Sequence, residues 1–272
     1  MAKLSDKARI DVLLFERGIV ESRELARRMI MAGEVTVNDL VVTKPGTHVS
    51  MQARIELKSK PRFVSRGGEK LAAALVRFQI DPAGWICADI GASTGGFTDC
   101  LLQNGAMKIY AIDVGYGQLA WSLRQDARVV VMERTNARSL DALPEPIDFA
   151  SVDVSFISLN HILPTINRIL KSSGEAVVLV KPQFEAGRED VGKGGVIKDP
   201  TIHVSVLNEV VRFAQDTGLY ICGLMPSPLR GPAGNIEFLM WLSHDLVRQP
   251  NSLKELIDAV VEEAHSSQQK IE

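Results

Sequence analysis

The sequence predicts an α/β protein in which a doubly wound, mostly parallel sheet follows a small α+β unit. From residue 69 onward, short apolar segments of strand length alternate with longer segments of helical period. This pattern is typical of a parallel sheet covered by helices on both faces. Before residue 60 the pattern differs, with two short helical segments and a hairpin signal. A chain of 272 residues is long enough for one medium and one small domain.

The elements of the front unit follow from its apolar spacing and its turn residues. A first helix ends at Gly18, and its apolar face is formed by Val12, Leu13, Phe15, Ile19 and Val20. Ser22 is a favourable N-cap for a second helix that ends at Gly33. A hairpin with its turn at Asn38-Asp39, and then one further strand, are predicted at 34–37, 41–42 and 53–57.

We place the domain boundary in the segment 58–66, because it is basic and contains Pro61. The predicted organisation is therefore a front domain over residues 1–59, a linker over 60–66 and a body over 67–272.

The body alternates strands and helices and contains no internal repeats. Its predicted strands are 86–90, 108–113, 129–132, 147–153, 176–180, 220–225 and 237–242. Its predicted helices are 69–78, 97–104, 159–170, 201–216 and 252–265.

The composition is that of an ordinary globular protein, with 46% hydrophobic and 24% charged residues. No sequence window approaches the roughly 18 to 20 uncharged apolar residues of a membrane-spanning helix. No apolar signal core follows the polar amino terminus, so we expect no export and no membrane partner. Three separated cysteines predict buried thiols in a reducing, cytoplasmic compartment. The scattered histidines show no metal-ligand spacing, so we expect no metal.

Charge is distributed unevenly along the chain. Residues 1–70 contain 14 Lys and Arg against 9 Asp and Glu, whereas the remaining residues contain 17 against 24. A basic front on an acidic body predicts that a polyanion binds the front of the molecule. Chance asymmetry is the alternative interpretation.

A glycine-rich segment between a predicted strand and a predicted helix is the candidate cofactor loop. Its candidate binding residues are Asp89, Gly91, Ser93, Thr94, Gly95, Gly96 and Phe97. Glycines permit a sharp turn and the close approach of a ligand, and the helix start offers N–H groups to anionic oxygens. Asp113 ends the next strand, at the spacing of an acid that binds ribose hydroxyls. The pattern favours S-adenosylmethionine over a dinucleotide, whose G-x-G-x-x-G spacing is not reproduced, and over a purely structural turn.

Four charged residues at predicted element ends form the candidate catalytic set, namely Lys70, Asp153, Lys181 and Glu237. Charges at strand ends of a doubly wound sheet face the ligand crevice. For each residue alone, a solvated strand end is the simpler interpretation, but four beside a cofactor loop favour chemistry. A lysine can deprotonate a ribose hydroxyl only if its pKa falls well below about 10.4. We therefore predict that Lys70 is the cationic neighbour of Lys181 and that the two acids orient the amines.

On these residues the chain resembles the TlyA family of rRNA 2′-O-methyltransferases, whose members are often named hemolysin A. In the body, the segments SRGGEKL at 65–71 and DVGYGQL at 113–119 carry the resemblance, and the body looks like an FtsJ-type ribose methyltransferase domain. In the front domain, the segments that resemble the S-four (alpha-L) RNA-binding fold are RIDVLL at 9–14, SRELA at 22–26 and AGEVTVN at 32–38.

The resemblance implies a Rossmann-like methyltransferase fold with one antiparallel strand and S-adenosylmethionine as cofactor. It implies cytidine ribose in ribosomal RNA, on either or both subunits, as substrate, and thus ribosomal RNA or subunits as partner. The family's Lys-Asp-Lys-Glu tetrad falls on the four candidate residues, with Lys181 as the proposed base. The resemblance adds Asn136 as an adenine-side contact.

The resemblance also makes basic residues of the front domain and linker candidates for RNA phosphate contacts, namely Arg9, Arg23, Arg27, Arg28, Arg62 and Arg66. Arg23 and Arg27 are four residues apart on one predicted helix and so share a face. A solubilising charged helix surface is the alternative, above all for Arg28.

Three other functions compete with this interpretation. A membrane-lytic protein needs an amphipathic membrane hairpin, a membrane span or an export signal, and the sequence shows none of them. An RNA-binding assembly protein with a decayed methyltransferase site is opposed by the complete tetrad. A nicotinamide oxidoreductase is disfavoured by the spacing of the glycines. The sequence does not indicate the oligomeric state.

Overall fold

The structure, a computed structural model, describes residues 6–20, 22–57, 61–187, 189–192 and 194–266. The chain divides into two compact units, Met1–Arg62 and Phe63–Glu272, which we call the front unit and the body. The boundary predicted after residue 59 lies outside the described residues.

The front unit combines two helices with short strands. In chain order its elements are β1 (Lys7–Arg9), α1 (Ile10–Glu16), α2 (Arg23–Met31), β2 (Val35–Val37), β3 (Leu40–Val41), β4 (His48–Ser50) and β5 (Ile55–Leu57). β1 pairs antiparallel with β4, and β2 lies between β3 and β5 in a second antiparallel sheet. The predicted helices, hairpin and further strand are present. The sequence did not predict β1 and β4, because three residues are too few to show an alternating pattern.

The buried face of α1 differs from the predicted one. Ile10, Leu13 and Leu14 are at most 3% exposed, whereas Phe15 is 46% exposed. Because the helix begins at Ile10, its inward face follows the i, i+3, i+4 spacing from that residue and excludes Phe15. Ser22 caps α2 as predicted, since its side chain accepts a backbone N–H of the first turn.

The body is built on a seven-stranded sheet. Its strands are β6 (Ile86–Ile90), β7 (Lys108–Ile112), β8 (Val129–Met132), β9 (Ile147–Val152), β10 (Leu170–Val180), β11 (Tyr220–Pro226) and β12 (Phe238–Ser243). Their order across the sheet is β11-β12-β10-β9-β6-β7-β8. Strand β12 runs antiparallel to both neighbours, and the other adjacent pairs are parallel. The mostly parallel sheet with one antiparallel strand is therefore confirmed.

Helices cover both faces of this sheet. They are α3 (Gly67–Phe78), α4 (Gly96–Gln103), α5 (Trp121–Arg124), α6 (Leu163–Ile169), α7 (Pro182–Glu185), α8 (Pro200–Asp216) and α9 (Leu253–Ser266). Buried residues of α6, α8 and α9 form one core with the sheet, and those of α3 and α4 form a second. None of the described helices has the length and apolar character needed to cross a membrane.

The helix predicted over 159–170 is wrong in extent. A 3-10 turn at Leu159–His161 precedes α6, and β10 already begins at Leu170. Pro164 lies in the first turn of α6, the position where a residue without an N–H is tolerated. The apolar period runs through the break, so it could not show where the helix starts.

Candidate active site

The candidate site lies at the edge of the body sheet where the parallel strands end. Strand β6 is flanked by β7 and β9, so the strand order changes direction beside β6, and ligands bind in the crevice at such a point. Gly91, Asp153 and Lys181 directly follow β6, β9 and β10. Because β12 runs antiparallel to β10, it begins at this same edge, and Glu237 immediately precedes it. The topology therefore brings together residues that are distant in sequence.

The four candidate catalytic residues form two ion pairs. Lys70 Nζ lies 2.5 Å from Glu237 Oε2, and Lys181 Nζ lies 2.6 Å from Asp153 Oδ1. The Glu237 side chain is 1% exposed, and the two lysine side chains are 11% and 10% exposed. All four residues line one cavity of about 490 Å³. Buried charges are costly without a partner, so each pair holds its two members in place.

The hydrogen bonds of the two lysines show how the tetrad is arranged. The sequence predicts Lys70 as a cationic neighbour of Lys181, but the hydrogen bond of Lys70 goes to Glu237. Lys181 donates a second hydrogen bond, to Ser155 Oγ at 2.8 Å. Lys181 thus has two acceptors on the segment that follows β9, while Lys70 is held by the residue that precedes β12.

Two glycines of the cofactor loop lie so close to the rest of the site that no side chain fits. Gly91 has φ +83°, and a Cβ on it would lie 2.4 Å from the backbone oxygen of Asp153. A Cβ on Gly96 would lie 2.2 Å from Ser65 Oγ and 2.8 Å from the backbone nitrogen of Gly68. The glycines therefore let the loop approach both the end of β9 and the start of α3.

Two acids hold the loop in shape. Asp113 accepts the backbone N–H groups of Ser93 and Gly115, both at 2.7 Å. Asp89 is fully buried and accepts the N–H and the hydroxyl of Thr98 at 2.8 and 2.6 Å. Burial raises the pKa of Asp89 to about 7, against the effect of these hydrogen bonds.

The structure brings most of the predicted cofactor residues to the cavity. Those in its lining are Asp89, Gly91, Ser93, Thr94, Gly96 and Phe97. Asp113 is linked to the lining through its bond to Ser93. Gly95 precedes α4 and packs on Leu123, whose Cδ1 would lie 2.2 Å from a Cβ on that glycine. Asn136 accepts a backbone N–H of a neighbouring 3-10 turn and lines a separate cavity of about 600 Å³.

The predicted RNA-binding arginines of the front unit have two different settings. Arg9 and Arg23 lie 2.9 and 3.4 Å from the carboxylate of Asp11, whose side chain is fully buried. The hydrogen bond and charge of Arg9 lower the pKa of Asp11 against the effect of burial. Arg27 and Arg28 are exposed on α2. All four arginines are exposed, but Arg9 and Arg23 also pair with a buried carboxylate of the unit.

The predicted linker is divided between the two units. Arg62 is exposed at the end of the front unit. Phe63 is 3% exposed and packs on Gly68, where a Cβ would lie 2.3 Å from Phe63 Cγ. Arg66 precedes α3 and lines the cavity. The last part of the predicted linker thus belongs to the body and its site.

Several cavity residues were not predicted, namely Ser65, Ser155, Leu229, Arg230 and Pro232. Three of them belong to the segment 228–234, which is rich in Gly and Pro and leads to Glu237. That composition indicates a loop beside a candidate catalytic residue, and it could have identified the segment as part of the site. Ser155 is close to Asp153 in sequence, but serines are too common for the spacing to single it out.

Comparison with known families gives one match in the body and one in the front unit. The family described as FtsJ-like methyltransferase matches residues 63–244. The S4 domain family matches residues 8–55.

The chain is also similar to individual proteins along most of its length. It is 46% identical to "16S/23S rRNA (cytidine-2'-O)-methyltransferase TlyA" of Mycobacterium tuberculosis, over 94% of this chain and 97% of that protein. It is 44% identical to "Hemolysin A" of Brachyspira hyodysenteriae, over 85% of this chain and 98% of that protein. A solved structure of a hemolysin-named protein from Streptococcus thermophilus matches with a TM-score of 0.75 and 47% identity, covering 98% of both chains.

Proposed function

Because this chain belongs to the FtsJ-like methyltransferase family, we propose that it methylates the ribose 2′-hydroxyl of a cytidine in ribosomal RNA. The M. tuberculosis relative is named for this reaction on 16S and 23S rRNA, and the S4 domain supplies an RNA-binding unit. The observation that carries the proposal is the meeting of two Lys–carboxylate pairs with the glycine loop in one cavity. A substrate of this kind places the enzyme in the cytoplasm, with the ribosomes.

The cofactor predicted from the sequence, S-adenosylmethionine, is confirmed by the methyltransferase family and its fold. The residues present fit it. Gly91 and Gly96 line the cavity, and because they lack side chains they let the loop bend close to β9 and α3. We infer that N–H groups at the start of α4 bind its carboxylate and that Asp89 and Asp113 serve its amino and hydroxyl groups. The adenine contact predicted for Asn136 remains a prediction, since this residue lines a cavity separate from that of the loop.

Chemistry at the ribose requires loss of one proton as the new O–C bond forms. Bound S-adenosylmethionine would supply a methyl group activated on its sulfonium, with the S–C bond broken as the O–C bond forms. In its neutral amine form, Lys181 Nζ accepts the proton of the 2′-hydroxyl, and Asp153 holds that amine through the 2.6 Å contact. Placing the hydroxyl in line with the methyl group removes much of the entropic part of the barrier.

The second pair has an electrostatic part in the reaction. Lys70 is held by Glu237, which is 1% exposed, so its ammonium group has a fixed position at the cavity wall. A fixed cation stabilises the negative charge that develops on the ribose oxygen as its proton leaves. Glu237 positions Lys70 and balances its charge.

The proposal is tested with purified small and large ribosomal subunits, a labelled methyl donor and mapping of the modified nucleotide. Wild-type protein is expected to label a cytidine ribose. Lys181→Ala is expected to bind S-adenosylmethionine by calorimetry with wild-type affinity but to lose at least about 100-fold in turnover. Lys254→Ala, which removes an exposed lysine of α9, is the matched control. Near-normal turnover by Lys181→Ala would remove this residue from the reaction, and labelling of a base would contradict the ribose assignment.

A further inference from the structure

We propose that Ser155 is a positioning residue that aims the amine of Lys181 at the ribose hydroxyl, an inference that rests on the proposed function. Ser155 lines the cavity, and its Oγ accepts a hydrogen bond from Lys181 Nζ at 2.8 Å. Asp153 Oδ1 contacts the same nitrogen at 2.6 Å. The lysine nitrogen therefore contacts two acceptors that lie two residues apart on one loop.

These two contacts determine the direction in which the lone pair of the nitrogen points. A neutral amine has two N–H bonds and one lone pair, arranged tetrahedrally with its carbon. If the N–H bonds are directed to Asp153 and Ser155, the lone pair is left in one defined direction, and that direction serves the substrate proton. With Asp153 as the sole acceptor, rotation about the terminal C–N bond exchanges the second N–H with the lone pair. Ser155 thus selects the productive orientation.

The loop that carries both acceptors is hydrogen-bonded to the helix that follows Lys181. Glu185, in α7, accepts the hydroxyl of Ser158 at 2.6 Å and the N–H of Leu159 at 2.9 Å. Burial raises the pKa of Glu185, and both bonds use its two carboxylate oxygens. Since α7 begins directly after Lys181, the base and its acceptors belong to one connected unit.

An unusual backbone conformation lies next to Ser155 itself. Phe156 has φ +63°, a region that bulky side chains rarely adopt. Its ring lies against that of Phe184 of α7, with 5.0 Å between ring centroids. Phe156 is 90% exposed, and unusual backbone conformations concentrate at functional sites. Here the conformation of Phe156 sets the direction in which the chain leaves Ser155, beside Lys181.

The experiment compares Ser155→Ala with Ser155→Thr, which keeps the hydroxyl. Ser205→Ala, on the exposed side of α8, is the matched control. We expect Ser155→Ala to lower kcat about 10- to 100-fold with little change in the KM for rRNA or in S-adenosylmethionine affinity, and Ser155→Thr to recover most of the loss. The pH dependence of kcat should change in Ser155→Ala alone. Loss of cofactor affinity, or a kcat within about twofold of wild type while Lys181→Ala is inactive, would overturn the proposal.

A second readout needs no RNA. Pulse acylation with acetic anhydride, followed by mass spectrometry, reports the reactivity of Lys181 Nζ against pH. Ser155→Ala is expected to change this profile, while Ser205→Ala and Ser155→Thr are expected to follow the wild type. An unchanged profile in Ser155→Ala overturns the positioning role even if the enzyme proves to act on another substrate. Failure of wild-type protein to methylate rRNA, with a changed profile, contradicts the proposed function instead.

Discussion

Two glycines of the body share a backbone conformation and differ in their surroundings, which allows the role of the cofactor loop to be measured. Gly84 has φ +75° and nothing within 4 Å of a built Cβ. Gly91 has φ +83°, and its built Cβ would lie 2.4 Å from the backbone oxygen of Asp153. We expect Gly84→Ala to lower the free energy of unfolding by about 1–2 kcal/mol, the cost of a left-handed alanine. We expect Gly91→Ala to lower it by about 1–3 kcal/mol more, because a steric clash is added.

Chemical denaturation of both variants measures this difference, and calorimetry with S-adenosylmethionine measures its consequence. Gly91→Ala is expected to weaken cofactor binding, whereas Gly84→Ala should leave it unchanged. Equal destabilisation of the two variants would show that the loop can move away from β9, and the close approach would then not be a requirement of the fold.

At the scale of secondary-structure elements, the strands of the body were the most predictable feature. β6 and β8 have the predicted limits, because buried parallel strands are short apolar segments bounded by polar or turn residues. The pairing of the tetrad was not predictable. Lys70 and Glu237 are 167 positions apart, and their contact depends on β12 running antiparallel, which places its start at the edge where the other strands end. The tie between Ser155 and Lys181 depends in the same way on contacts between a loop and α7.

Helices α8 and α9 meet through a pair of histidines, one of which is buried, and this pair gives the fold a pH dependence. His203 Nδ1 lies 3.0 Å from His265 Nε2, and His203 is fully buried. Burial, assisted by His265, lowers the pKa of His203 to about 4. Unfolded histidine binds a proton below about pH 6.5, so the unfolded state binds more protons between pH 6.5 and 4. The stability that His203 contributes is therefore complete above pH 6.5 and is lost as the pH falls toward 4.

Between pH 7 and pH 4, we expect the free energy of unfolding of the wild type to fall by about 2–3 kcal/mol more than that of His203→Gln. Denaturant titrations at several pH values measure the two slopes. Asp89 and Glu185, whose pKa values are raised by burial, act in the opposite sense but are present in both proteins, so they cancel in the comparison. His48→Gln changes an exposed histidine of the front unit and should keep the wild-type slope. Parallel slopes for His203→Gln and wild type would assign the acid sensitivity to other groups.

At the scale of the whole molecule, the chain divides its work between an S4 domain and a methyltransferase body. Substitutions in the two parts are expected to impair different properties of the enzyme. Substitutions in the body cavity should alter turnover or cofactor affinity, whereas exposed arginines of the front unit should alter RNA affinity alone. Arg9 is a poor probe of RNA binding, because its removal leaves the buried carboxylate of Asp11 without its main partner.

Arg27 is the better probe, since it is exposed on α2. We expect Arg27→Ala to weaken rRNA binding and to reduce the slope of log affinity against log salt by about 0.7–0.9, the effect of one lost phosphate contact. The thermal midpoint should not change, because Arg27 is exposed. The affinity for S-adenosylmethionine should not change either, because Arg27 lies in the front unit. Arg77→Ala removes an exposed arginine from α3 of the body and should preserve the slope. If Arg27→Ala binds rRNA with the wild-type salt slope, the exposed face of α2 only solubilises the front unit, and the phosphate contacts must come from other cations.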